Sequence, residues 1–380
     1  MTLFLLTFFL LYGSLHLYAF LRARAAFAFS TTTGIFIAGL MLVMTISPII
    51  IRFSEKAGSE LFARLMSYVG YTWMGIIFLF VSFSFLIDVY RLCVAAGGSV
   101  LGKDLTYLSF TGRYAVLLPL VISIMIALYG FFEAVNIRTE KLTIWSHKIP
   151  PDVNRVRIAQ ISDVHLGLIV RESRLERILS EIERAEPDIL VSTGDLVDGQ
   201  IDNLSGLAAM FREINPRFGK YAITGNHEFY AGLEQSMWFT EQAGFTMLRG
   251  ERVDIQNILT IAGVDDPQAN SFGLYRGGTE KEVLADLPDN RFVLLLKHRP
   301  LIDESSRGLF DLQLSGHVHR GQIFPFSIIT GLYYETQSGL AQLSDGSSLY
   351  VSRGSGTWGP PIRFLSPPEV TVIDLVRADE

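Results

Sequence analysis

Cysteine is almost absent: Cys93 is the single one in 380 residues. That excludes an intrachain disulfide and any thiolate metal cluster, so a bound metal ion would have to be held by nitrogen and oxygen. Charge is scarce as well, with only 18% Asp, Glu, Lys and Arg and a net charge of −6. An acidic balance argues against a nucleic-acid partner, whose phosphates call for a basic face. A hydrophobic content of 49% excludes a disordered chain. The scarcity is uneven. Residues 1–134 carry 13 charged residues, eight basic and five acidic, against 57 in residues 135–380. The first third is therefore net +3 and the remainder net −9. The two parts are composed for different solvents.

Four stretches of the first third have no charge at all: Met1–Leu21, Ala25–Ile51, Leu65–Ile87 and Tyr114–Phe132, of 21, 27, 23 and 19 residues. A hydrocarbon core about 30 Å thick takes about 20 apolar residues as helix. Four transmembrane helices are expected, over about 2–21, 28–51, 66–88 and 114–133, in a domain of residues 1–134. The first run lacks the basic start of a signal peptide, exceeds the usual apolar length of one, and is followed by three more spans. It reads as a helix that stays. No charge pair lies inside a run, so a proton or ion pathway has no candidates. Asp88 and Glu133 fall at span ends and read as interfacial. Loop basic residues, five against six on the two sides, do not fix the orientation. Arg22 and Arg24 directly after the first span favour an outside N-terminus, which would put the C-terminal domain outside the cytoplasm.

Beyond Phe132 short β-rich runs alternate with amphipathic segments. Arg155–Ile161, Asp188–Ser192, Lys220–Ile223, Ile258–Val264, Arg291–Leu296 and Asp311–Leu314 read as strands. Residues 171–186 read as a helix with Leu175, Ile178, Leu179 and Ile182 on one face. Residues 202–214, 233–243 and 279–286 read as helices too, and 136–149 as the first strand. This grammar predicts an α/β domain of stacked layers over residues 136–380.

Five of the seven histidines lie within 165–319, in short polar clusters that follow apolar strands. The clusters are Asp163-Val164-His165, Gly194-Asp195-Leu196-Val197-Asp198, Gly225-Asn226-His227-Glu228, His298 and Gly316-His317-Val318-His319. Groups at strand ends of such a sheet converge on one crevice. The i, i+2 spacing of Asp163/His165 and of His317/His319 would, in extended chain, place each pair on one face. Imidazole and carboxylate without thiolate suit Mn, Fe or Zn. Six or seven ligands exceed one ion and suit two, which can clamp a phosphoryl group between them.

The ordered blocks D-x-H, G-D-x-x-D, G-N-H-[DE], a lone His and G-H-x-H resemble the calcineurin-like metallophosphoesterase superfamily over about 140–380. The wording Ser162-Asp163-Val164-His165-Leu166-Gly167 and Ser315-Gly316-His317-Val318-His319-Arg320-Gly321-Gln322 is similar to its membrane-associated YkuE-like phosphodiesterase branch. So are Tyr350-Val351-Ser352-Arg353-Gly354 and a final strand over Glu369–Leu375. The resemblance implies a fold of two β-sheets flanked by helices, here preceded by the four-helix transmembrane domain. It implies Asp163, His165 and His319 on one metal, Asn226, His298 and His317 on the other, and Asp195 bridging both. A hydroxide held between the metals would be the nucleophile. His227 would be no ligand; it would face the phosphate as a catalytic group. Glu228 and Asp198 would orient ligands, although Asp198 has an alternative as a helix cap. Arg320 departs from the glycine frequent in this branch, and contact with substrate phosphate or with solvent are both open. Arg353 and Trp358, in the late glycine-rich loop, have pocket-lining and structural readings.

The expected protein is a multi-pass cell-membrane enzyme with two divalent ions, manganese first among the metals. It would hydrolyse a phosphodiester or pyrophosphate, and a four-span anchor suggests a lipid-linked substrate. The alternatives are a tethered phosphodiesterase for soluble substrates, a non-catalytic metal-binding sensor, or a regulatory domain on a transporter. Nothing in the residues indicates an oligomeric state.

Overall fold

The structure, a computed structural model, describes residues 2–199 and 204–378. It divides into two compact units. One comprises residues 1–131 with the short segment 359–362, the other residues 132–358 and 363–380.

The first unit is helical: α1 (Thr2–Phe27), α2 (Thr31–Thr45), α3 (Ser47–Lys56), α4 (Glu60–Leu101) and α5 (Tyr114–Val135). Three of these are long and apolar enough to cross a membrane, or four if the bent pair α2 and α3 counts as one span. The second expected span is thus a broken one. Its two pieces meet at 52°, because Pro48 has no N–H to continue the ladder. Proline sits instead in the opening turn of α3, where that donor is not needed. The third expected span, 66–88, lies within a helix of 42 residues. At a rise of 1.5 Å per residue it is about 63 Å long, roughly twice a hydrocarbon core. Glu60, Arg64, Asp88 and Arg91 limit the apolar run without limiting the helix. What ends α4 is Gly102, in the left-handed conformation at its C-terminus. Large apolar side chains such as Leu10, Phe36, Phe62, Leu92 and Phe132 point outward from these helices. The interior holds Tyr12, Ile77, Phe80 and Val116 and polar links. Trp73 donates to His16 (2.8 Å), and Arg22 joins α1 to Asp88 of α4 and to the Ala115 carbonyl of α5. Asp88 is therefore a partner within the bundle, and it takes up the charge of Arg22.

The second unit is built on twelve strands: β1 (Arg138–Ser146), β2 (Arg155–Ile161), β3 (Ile189–Ser192), β4 (Lys220–Ala222), β5 (Thr246–Met247), β6 (Glu251–Ile255), β7 (Leu259–Gly263), β8 (Phe292–Leu296), β9 (Leu312–Ser315), β10 (Gly339–Gln342), β11 (Ser348–Val351) and β12 (Glu369–Arg377). They form two mixed six-stranded sheets, ordered β1-β12-β2-β3-β4-β5 and β10-β11-β9-β8-β7-β6. One core joins residues from both sheets, among them Ile158, Ile189 and Val191 with Ile261, Leu294, Leu312 and Leu314. These strands are apolar on successive residues because both faces are covered. The outer face of the first sheet is covered by α6 (Glu172–Ala185), α7 (Ser205–Glu213) and, past the short α8 (Asn226–Ala231), α9 (Leu233–Gln242). Leu175, Ile178, Leu179 and Ile182 of α6 are the buried stripe that the 3.6-residue period demands. Residues 202–203 of the helix expected over 202–214 lie outside the described residues; the remainder forms α7.

In the first sheet β2, β3 and β4 run parallel, as do β8 and β9 in the second. The C-terminal ends of each set carry the polar clusters. Beneath them Gln160 of β2 donates across the sandwich to the Ser315 carbonyl of β9 (3.1 Å). That bond ties the two sheets together under the clusters.

Candidate metal centre

The loop after β2 is laced to the loop after β3 by backbone bonds. Asp163 N–H donates to Gly194 O, His165 N–H to Asp195 O and Leu166 N–H to Leu196 O, each 3.0 Å. This lacing holds unusual backbone. Asp163, His165, Asp195, His317, His319 and Arg320 all have φ between 48° and 72°. Non-glycine residues rarely adopt that region, and where they do it commonly marks a site. The i, i+2 pairs therefore do not converge by strand alternation, as expected from an extended chain. Left-handed turns aim the side chains inward. Two glycines make room for them. A Cβ on Gly316 would lie 2.2 Å from Asp163 Oδ2, and one on Gly225 would lie 2.2 Å from Asp195 Oδ1.

The structure brings all of the predicted residues together. In each of three groups, Asp163/His165/His319, His165/Asp195/His227 and Asp195/His298/His317, one ligand atom per residue lies within 4.8 Å of the others. Asn226 joins the third group, with Oδ1 3.3 Å from His298 Nε2. His298 is fully buried, and its Nδ1 sits 2.8 Å from the Thr193 carbonyl. A carbonyl only accepts, so Nδ1 carries the proton and a neutral ring leaves Nε2 bare. That bare nitrogen faces Asp195 Oδ2 at 3.2 Å, Asn226 Oδ1 at 3.3 Å and His317 Nδ1 at 3.1 Å. With that ring neutral, its lone pair and the oxygens of Asp195 and Asn226 converge on one point, as a bound cation requires. On the other side His165 Nε2 is 3.2 Å from His319 Nε2, which is 3.3 Å from Asp163 Oδ1. His165 Nδ1 is buried with no hydrogen-bond partner.

The electrostatics report the same need for positive charge. Burial works against a charged ring at His298, yet Asp195 and Asp163 outweigh it and push its pKa up to about 10. Burial opposes the charge of Asp195, but the histidines around it hold its carboxyl well below the usual range. His317 and His319 go the other way, to about 3 and about 4, chiefly through burial. They stand as neutral imidazoles, the form that ligates. Nitrogen and oxygen donors of this kind, without sulfur, fit divalent ions of the Mn, Fe and Zn type.

The groups around the ligand atoms are held firmly. Glu228 is buried and accepts N–H bonds from Gly225 (2.7 Å), Asp195 (3.0 Å) and Leu196 (2.7 Å). It fastens the β3 loop to the start of α8. Asp198 is no helix cap. Its Oδ1 lies 2.7 Å from His227 Nδ1 and 3.6 Å from His165 Nδ1. Burial opposes charge on His227, but Asp195 and Asp198 raise its pKa to about 9. The ring of His227 has Tyr230 and Trp358 as edge-on neighbours, at 5.4 and 5.8 Å. Trp358 is half exposed and so stands at the rim. Arg353 is structural, paired with buried Glu369 at 2.6 Å and with Glu140. Arg320 is exposed.

One residue escaped the sequence reading. Arg363 is the largest fully buried side chain among the described residues. Its guanidinium donates to the carbonyls of Gly356 (2.7 and 2.9 Å), Arg353 (2.8 Å), Ser366 (3.0 Å) and Gly354 (3.2 Å). It also donates to His319 Nδ1 (3.1 Å). The loop it clasps packs on the β2 loop, through Ser355 N–H to Ser162 O (2.7 Å) and Gly356 N–H to Asp163 O (3.0 Å). A lone basic residue amid Pro360, Pro361, Ile362, Phe364 and Leu365 was the available signal.

Residues 156–321 match the protein family described as calcineurin-like phosphoesterase. A metallophosphoesterase of Aquifex aeolicus is 44% identical over 255 residues, which cover 67% of this chain and 97% of that one. The chain belongs to the calcineurin-like metallophosphoesterase family. It is a metal-dependent phosphoesterase. Other relatives of this metallophosphoesterase include a transmembrane protein with a metallophosphoesterase domain from Danio rerio, 32% identical over 69% of this chain and 62% of that one. YkuE of Bacillus subtilis is 32% identical over 65% of this chain and 89% of that one. The membrane helices together with the transmembrane relatives indicate membrane association.

Proposed function

We propose that this metallophosphoesterase is a multi-pass membrane enzyme that uses two divalent ions to hydrolyse a phosphodiester or pyrophosphate of an amphiphilic, lipid-linked substrate. The observation that carries the reading is the pair of electron-rich clusters that share Asp195. Asp163, His165 and His319 would hold one ion, Asn226, His298 and His317 the other, with Asp195 offering one carboxylate oxygen to each. Two such ions supply Lewis acidity towards the phosphoryl oxygens and a source of hydroxide near neutral pH. Manganese is the first candidate.

The remaining work falls to the chain. Thr193 O sets the tautomer of His298, so that Nε2 faces the centre. Glu228 and Arg363 keep the loops in register. His227, held beside Asp198 and facing the open rim at Trp358, carries a proton near neutral pH. It is placed to donate to the leaving oxygen or to balance charge on the phosphoryl group. Four spans, with α2 and α3 as one, put both ends of the membrane part on one side. Arg24, in the last turn of the first helix, then favours a catalytic unit outside the cytoplasm.

The test is turnover by the full-length protein in mixed micelles with added Mn. A soluble aryl phosphodiester is run beside a phospholipid and a nucleotide-linked lipid, with bound metal measured on the same samples. Two metal ions per chain and turnover of a lipid-bearing substrate, lost in His227→Ala with both ions retained, is the expected result. Turnover of the soluble diester alone would leave the tethered-enzyme reading. Two bound ions without any turnover would favour a sensor.

A further inference from the structure

Outside the metal centre, one segment of the catalytic unit breaks the rule that apolar residues go inside. Residues 321–334 form its longest run without Asp, Glu, Lys or Arg, 14 residues. The other long uncharged run, 255–264, is largely buried in β7 and its turn. This one is turned outward. Phe324, Ile328, Ile329, Leu332 and Tyr333 expose 40%, 61%, 55%, 85% and 68% of their surface. The backbone beneath them is ordered and satisfied. Phe324 N–H donates to Phe364 O (3.1 Å) and Phe364 N–H to Gln322 O (2.9 Å). Gly331 N–H donates to Ser327 O (3.0 Å) and Tyr334 N–H to Thr330 O (2.9 Å). Thr330 Oγ1 donates to Gln337 (2.6 Å). A Cβ on Gly321 would lie 2.4 Å from Ser327 N, so the chain folds back tightly on itself. The segment is therefore a built turn that presents apolar side chains. It starts at the centre's edge, where the Tyr334 ring lies 5.8 Å from that of His317.

We infer that residues 324–333 are an interfacial element that enters the surface of the lipid bilayer beside the catalytic site. Contiguous exposed apolar groups mark a contact with protein or lipid, and two observations choose lipid. The segment has no charged group with which a protein partner would be oriented and selected, whereas Tyr333 and Tyr334 at its end are the residue type that membrane interfaces favour. The same chain also carries membrane helices, so the catalytic unit is tethered to a bilayer at high effective concentration. Several backbone N–H groups of the segment are paired within it, which lowers the cost of entering an apolar medium. The inference rests on the membrane association of the chain and not on the identity of its substrate.

The experiment uses full-length protein with the single native thiol removed (Cys93→Ser) and Leu332→Cys labelled with an environment-sensitive fluorophore. The labelled protein is placed in nanodiscs of phosphatidylethanolamine and phosphatidylglycerol, with and without lipids spin-labelled near the headgroup. A control label sits at Asp289, on the charged surface. Blue-shifted emission at position 332, quenched several-fold more by spin-labelled lipid than at position 289, is expected. Emission of a water-exposed probe would overturn the inference. So would a blue-shifted probe that lipid does not quench, which would mean a protein partner or a second copy. Substrate assays do not enter this readout, so it stands or falls apart from the lipid-linked reading of the reaction. As a second variant, Ile328→Asp with Ile329→Asp should leave hydrolysis of a soluble diester within about twofold. It should lower the quenching of the position-332 probe by spin-labelled lipid several-fold. Unchanged quenching with soluble-diester hydrolysis intact would overturn the inference.

Discussion

In one half of the candidate centre, His298 gives its Nδ1 proton to the carbonyl of Thr193. In the other, His319 receives at Nδ1 an N–H of the buried Arg363. The two rings face the same cavity with opposite electrical support. The carbonyl pushes electron density towards Nε2 of His298, the usual way a ligating imidazole is made more basic. The guanidinium draws density away from His319 and places a positive charge one ring from where a cation would sit. Neutral His319 then keeps its proton on Nε2, beside Asp163 Oδ1 at 3.3 Å, and an ion held there would first have to displace that proton. The half around His298 should therefore hold its ion the more tightly, and the half around His319 should exchange its ion more readily. What the second half gains is position. Arg363 fastens the late loop, the β2 loop and the His319 ring into one piece.

The largest effect should come from removing what the halves share. Asp195→Asn is expected to drop bound metal below one ion per chain and to bring hydrolysis to background, read by metal analysis and by turnover. The comparison itself is broken by Arg363→Met. Four carbonyls would lose buried donors, at about 1–3 kcal/mol for each buried group left unpaired. A large fall in the thermal midpoint is expected, with bound metal going from two ions to one in the protein that still folds. Retention of two ions would refute the assignment of Arg363 to one half. His227→Ala should keep both ions and lower the rate roughly 10²- to 10⁴-fold, the usual weight of a general acid. Glu228→Gln sharpens the contrast from the other side. An amide NH₂ would face N–H donors that now meet a carboxylate, and metal affinity should fall about 10- to 100-fold. Calorimetric titration would show whether that loss falls mainly on the Asp195 and Asn226 side, as the fastening of these two loops requires.

Much of the centre was legible because its chemistry is written in short blocks. A D-x-H or G-H-x-H cluster after an apolar run names both the donors and the strand end that carries them. The helix over α6 and the strands β2, β3, β8 and β9 were legible for the same local reason, a clean apolar period. What escaped was set by distance along the chain or by backbone. Arg363 bonds His319 across 44 residues, and no local pattern announces that. The left-handed turns at Asp163 and His165 depend on lacing to residues 194–196. The 42-residue α4 was cut short in the sequence reading because apolar length measures a bilayer and not a helix. The segment 324–333 carries no chemical motif; its character is in its exposure.

The left-handed backbone at Asp163, His165, Asp195, His317 and His319 has a consequence for how the molecule comes apart. Each such residue costs of order 1–3 kcal/mol that the surroundings must offset. Bound ions would offset it directly, since they draw those five side chains to common points. Strip them with a chelator, and the loops should become the earliest unit to open, well before the strands beneath. Amide hydrogens of residues 163–166 and 317–321 would then exchange fastest, with β2 and β9 still closed. The catalytic unit would thus loosen from its chemical end inward, while the sandwich that supports it stays folded.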